Sequence, residues 1–111
     1  MRRVFVSGPF RSPNPQQMAA HVLTAQAAAV ALAQIGVAAY CPHSNLGHAY
    51  GLIDEAVAMQ INESFLRDCD ALLLLPGWGN SEGARHELAL AKQRGLPVFR
   101  SPHEVAAWQQ R

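Results

Sequence analysis

Five consecutive apolar residues, Ala71-Leu72-Leu73-Leu74-Leu75, constrain this chain more than any other feature. A strand wet on one face alternates apolar and polar side chains; a run that is apolar throughout suits a strand covered on both faces. Such strands sit inside parallel sheets, whose crossover connections lay helices on either side. The rest of the chain alternates to match. Val4-Phe5-Val6 reads as a buried strand entering the loop Ser7-Gly8-Pro9. Asn14 is a favoured helix cap, Pro15 suits a first helical position, and Gln17 can reach back to the cap. A helix is expected from about Pro15 to Ile35, with Gly36 as its stop. Val37 to Tyr40 reads as a second strand and Cys41 to Leu52 as a loop. Asp54 caps a helix to about Asp68, with Ile53, Val57, Ile61 and Phe65 roughly on one face. Ser81 opens the next helix, Gly95 stops it, and Pro97-Val98-Phe99 is a fourth strand. Ser101 and Glu104 form a capping-box pattern before a last short helix. The order βαβαβαβα predicts a three-layer α/β fold: a Rossmann- or flavodoxin-like parallel sheet of about four or five strands with helices on both faces.

The 111 residues suffice for one domain, expected to span positions 1–111, but not for two. A net charge of +1 with no basic block argues against a groove for long nucleic acid, though not against a single nucleotide. Charged residues make up only 15% of the chain, so part of its surface is expected to be covered, most cheaply in a homodimer or higher homo-oligomer. Cys41 and Cys69 form no CxxC pair, and the first residues reach Ser7-Gly8-Pro9 too soon for a signal peptide, which predicts a reduced, cytoplasmic protein. The Ala-rich run from Ala19 to Ala33 is too short and too polar at His21, Thr24 and Gln26 for a membrane span.

Ligands of parallel α/β sheets bind beyond the carboxyl ends of the strands, which selects three loops. In the first, the Ser7-Gly8 turn, followed by Pro9, is either an ordinary connection or a backbone that comes close to a ligand. In the third, Ser81 either caps the helix or helps its amides bind an anion, and Trp78 either packs or offers a stacking surface at the rim. Gly83 is unfavourable inside a helix by roughly 1 kcal/mol relative to Ala, so it invites a ligand or neighbouring chain. Gly83, Ala84 and Glu87 share one helix face, with the two small residues leaving space above the carboxylate. Glu87 is then either a solvated side chain or a carboxylate poised to attack an anomeric carbon. The middle loop carries His43, Asn45, His48 and Tyr50. Cys41, His43 and His48 lack the paired spacing of a metal site, so substrate contacts or proton transfer are the expected roles, with neither metal nor cofactor. Asp68 and Asp70 fall at the opposite end of the sheet.

Ser7-Gly8-Pro9, the Pro42-His43-Ser44-Asn45 loop, Cys69-Asp70 and above all Pro76-Gly77-Trp78-x-x-Ser81-x-Gly83-Ala84-x-x-Glu87 resemble a small bacterial and phage family. It is a family of domains of unknown function within or next to the nucleoside 2-deoxyribosyltransferase-like superfamily, and the resemblance spans almost the whole chain. It implies cleavage of an N-glycosidic bond in a nucleoside or nucleotide, by hydrolysis or deoxyribosyl transfer. Glu87 matches the helix glutamate that attacks the anomeric carbon, and Ser81 the serine that binds a 5′-phosphate. Ser7 and Gly8 match the first-loop pair. The superfamily's base-protonating aspartate falls on Asn62, which can bond a base but cannot protonate it. Leaving-group activation then has to come from His43, His48, Glu63 or a neighbouring subunit, or be absent. The alternative expectation is a non-catalytic nucleotide or nucleotide-sugar binding or sensing protein with the same cleft.

Overall fold

The computed structural model describes residues 1–46 and 51–111, for Asn45 and Leu46 the backbone only. The elements are β1 (Arg3–Ser7), α1 (Pro15–Gln34), β2 (Ala38–Tyr40), α2 (Pro42–Leu46), α3 (Glu55–Leu66), β3 (Ala71–Leu74), α4 (Glu82–Gln93), β4 (Val98–Phe99) and α5 (Pro102–Gln109), with a 3-10 turn at Trp78–Asn80. The four strands form one all-parallel sheet in the order β2-β1-β3-β4. The helices cover both faces, giving the three-layer α/β fold that the apolar strand required.

Alternation within β1 and β3 divides the core in two. Val4, Val6, Ala71, Leu73 and Leu75 pack with Ala25, Ala28 and Leu32 of α1 and Val105 of α5. Phe5, Leu72 and Leu74 point the other way, against Leu66 of α3 and Ala91 of α4. The paired strands align Phe5 with Leu72 and Val6 with Leu73. A one-residue slip would exchange the two faces, and because the faces carry different side chains the register is strongly specified.

The helix boundaries follow their caps. Asn14 accepts from the amides of Gln16 and Gln17, and Gly36 leaves α1 in the left-handed region at φ 77°. Gln17 does not reach back to Asn14 as expected; its side chain accepts from Ser12, whose oxygen takes the Asn14 amide. Among the described residues no helix is long and apolar enough to cross a membrane.

Two expectations are corrected. Within the stretch read as a loop, Pro42–Leu46 forms the short helix α2. In α3 the apolar stripe does not face the core: Val57 and Phe65 are 44% and 46% exposed, and Leu66 is the buried residue. The inward positions Ala58, Met59 and Asn62 line a cavity, while Phe65 stacks on Tyr40 at the sheet edge, ring centroids 4.2 Å apart.

Strand order reverses about β1: α1 leads to β2 on one side, and α3 leads past β1 to β3 on the other. The loops after β1 and β3 therefore part at a switch point, where such sheets open a crevice.

Candidate active site

Strand β1 ends on Ser7, which is fully buried. Beyond it the chain must pass the end of β3, and a Cβ on Gly8 would lie 2.7 Å from the Leu75 Cβ. Glycine is needed there for packing between neighbouring strands, as well as for the cavity wall that Gly8 and Pro9 form. On the facing side Ser81 caps α4, its hydroxyl accepting from the Ala84 amide at 3.1 Å. The cap is occupied by its own helix, yet Ser81 also lines the cavity. Gly83 has no comparable packing demand: a Cβ would meet only the Ser81 hydroxyl, at 4.0 Å. Its missing side chain leaves open space beside Glu87.

The cavity between these elements has a volume of about 720 Å³. It gathers Gly8, Pro9, His43, Asn62, Ser81, Gly83 and Glu87 from four separate parts of the chain. Glu87 is 8% exposed and accepts the Ser7 hydroxyl at 2.6 Å. Burial raises the carboxyl from 4.5 to about 7, against the opposing pull of the Ser7 hydrogen bond and of His43 and His86. At neutral pH it thus exchanges readily between acid and carboxylate. Ser7 is a positioning residue: it faces Glu87 from beneath and does not line the cavity. Ser7→Ala removes a donor that favours the ionised form. The acidic limb of any activity that needs the carboxylate is expected to move to higher pH, so that rates at pH 6 fall more than rates at pH 9. A pH profile of kcat/KM checks this.

His43, in the first turn of α2, is 5% exposed. Its Nε2 lies 2.9 Å from the Pro9 carbonyl oxygen, which can only accept, so Nε2 carries the hydrogen and Nδ1 of the neutral ring is a bare acceptor. Burial lowers the His43 pKa, countered by its hydrogen bond to Pro9 and by Glu87, and keeps the ring neutral. The Phe10 ring stands edge-on to it, centroids 5.7 Å apart. His43 Nδ1 and Asn62 Oδ1 are both buried without a hydrogen-bond partner among the described residues. Unpartnered buried acceptors are uncommon and costly, and these two both belong to residues of the cavity wall.

Trp78 does not join the cavity. The 3-10 turn directs its ring onto the core that holds Leu96 and Val98, and the Arg100 guanidinium lies 5.1 Å from the ring centre. Of the two roles open to Trp78, packing or a stacking surface at the rim, the ring takes the packing one. Glu63, one of the expected proton donors, pairs with His86 of α4 and is also absent from the cavity wall. Asp70 accepts from the Arg3 amide at 2.8 Å, at the opposite end of the sheet as expected. His48 and Tyr50 and the Asn45 side chain lie outside the described residues. Burial pushes the Cys69 thiol up to about 11, so that sulfur stays protonated and is no nucleophile at neutral pH.

Sequence reasoning missed Arg11 and Glu55. They form an ion pair at the cavity wall, joining the loop after β1 to the start of α3. Nothing in the spacing links them, because β2 and α2 intervene between them along the chain and only the fold brings them together.

Fold and site together define a doubly wound α/β protein with a buried carboxylate at its topological switch point. A family model matches residues 2–100, and the chain belongs to that family, Domain of unknown function (DUF4406). No curated protein matches the chain.

Proposed function

We propose that the protein cleaves the N-glycosidic bond of a nucleoside or nucleotide, as a hydrolase or deoxyribosyltransferase within the nucleoside 2-deoxyribosyltransferase-like superfamily, with Glu87 as nucleophile. The observation that carries the reading is the Glu87 carboxylate. It is buried, held by Ser7, and set in the wall of a cavity large enough for a nucleoside. A carboxylate in that setting can form a glycosyl ester that water or a second base resolves. Ser81 and Gly83 at the start of α4 supply a polar, open subsite for the sugar or its 5′-phosphate, and Asn62 supplies an amide for the base. The exposed apolar residues Leu23 and Val30 on α1, with Val57 and Phe65 on α3, fit a homodimer or larger homo-oligomer. A cytoplasmic location fits the same reading.

The test is free-base release, followed by chromatography, from ribo- and deoxynucleosides and their 5′-monophosphates. Base from at least one substrate class is expected, and none from the whole panel would contradict enzymatic turnover. One observation favours the second reading, a nucleotide or nucleotide-sugar binder or sensor. Asn62 carries no acidic proton, His43 is held neutral, and Arg11 holds the Glu55 carboxyl below its ordinary value. None of these three is ready to protonate a departing base. Saturable nucleotide binding without product would favour that reading.

A further inference from the structure

The reaction proposed for Glu87 has two halves, and the second needs a base. Once a glycosyl ester has formed, the attacking water must lose a proton as its oxygen bonds to the anomeric carbon. Glu87 cannot take that proton, because its oxygen is the leaving group. Candidates must therefore come from elsewhere in the wall. Glu55 is tied to Arg11, Glu63 is tied to His86 outside the cavity, and Glu82, also in the wall, is an exposed side chain in the first turn of α4.

His43 has the required features. It belongs to the same wall as Glu87, and the two are close enough for their charges to interact. Its ring is fixed at one end by the Pro9 carbonyl, which leaves the tautomer unambiguous. Its other nitrogen, Nδ1, is buried and has no hydrogen-bond partner among the described residues.

We infer that His43 Nδ1 is the general base that takes the proton from the water resolving a glycosyl-Glu87 intermediate. The inference rests on the glycosidase reading of Glu87. In this step the water oxygen bonds to the anomeric carbon while the bond from that carbon to the Glu87 oxygen breaks. The electron pair of the broken bond returns Glu87 to a carboxylate. The water proton moves to Nδ1, and the resulting imidazolium is stabilised by the Pro9 carbonyl and the restored carboxylate. The proton then passes to solvent or to the nitrogen of the departed base. A ring kept neutral at pH 7 suits this role and is a poor acid for the first half-reaction.

The experiment is rapid-quench measurement of base release by the wild type and by His43→Gln. The substrates are the four 2′-deoxynucleosides and their 5′-monophosphates, each in turn. Gln can still place an amide N–H near the Pro9 carbonyl, and it removes the base at Nδ1. The expected result is a burst of one base per protein followed by turnover about 100-fold below the wild type, in line with general-base contributions. Intact-protein mass should show the sugar adduct accumulating on the variant. A variant that slows base release with no burst would overturn the inference, since His43 would then serve the first step or the fold alone. Unchanged turnover would overturn it as well. If His43→Gln does not fold, His43→Asn, which also lacks a base, takes its place with the same readouts. No base from the wild type on any of these substrates would remove both this inference and the glycosidase reading. Base release without a burst would remove this one alone.

Discussion

Glu87→Gln is expected to abolish base release and at the same time to stabilise the protein above pH 7. The amide retains the shape of the carboxyl and can still accept the Ser7 hydroxyl, so the fold has no reason to fail. It cannot act as a nucleophile, and the loss of rate should be about 1,000-fold or more. The gain in stability follows from burial. In the unfolded chain the carboxyl titrates at its ordinary 4.5, whereas in the fold it titrates at about 7. Between those values the folded protein holds a proton that the unfolded chain has released. Stability therefore falls as pH rises through this window, and above it the wild type carries a penalty of roughly 3 kcal/mol. The amide carries no such penalty. Thermal unfolding at pH 5 and pH 8 should show the variant's advantage growing with pH. An advantage that does not grow would mean that Glu87 is solvated in the folded protein.

The second large effect lies in the sheet. Leu72 is fully buried at the centre of β3, opposite Phe5 and packed with Leu66 and Ala91. Leu72→Ala removes apolar contacts on a strand that cannot move, because β1 and β4 hold it on both edges. The expected cost is about 3 to 4 kcal/mol, a large share of the roughly 5 to 15 kcal/mol that holds a domain together. Val57→Ala, at a position 44% exposed, should cost well under half as much. Urea denaturation of the two variants compares them directly, and equal losses would contradict the layer arrangement.

The fold was legible because its signals are local and redundant. Leu72 to Leu75 declare a doubly covered strand, and Asn14, Asp54, Ser81 and Ser101 each cap the helix they precede. The short helix α2 was not legible, because Pro42 to Leu46 is too brief to show a period. The stripe on α3 misled for a different reason. Sequence pattern assumes that a helix turns its apolar face to a core, but here the inward face borders a cavity and carries Asn62 and Met59 instead.

The site was legible where one helix carries it. Gly83, Ala84 and Glu87 share a face in sequence and a wall in the structure. What lay beyond sequence was every contact between elements: Ser7 beneath Glu87, Pro9 holding His43, and Arg11 paired with Glu55. These pairs are far apart along the chain and depend on strand order. Trp78 shows the reverse case. Its place in a loop beside the cleft left packing and a ligand surface both open, and only the direction of the 3-10 turn assigns it to the core.

The central claim is that Glu87 becomes covalently bound to the sugar. The most direct measurement is acid quench of the wild type during turnover of the 2′-deoxynucleosides and their 5′-monophosphates, followed by digestion and peptide mass analysis. The account predicts a peptide heavier by one deoxyribosyl or deoxyribosyl phosphate residue, with the modification on Glu87 and absent from Glu87→Gln. Base release with that peptide always unmodified, and with the sugar product inverted at its anomeric carbon, would contradict it.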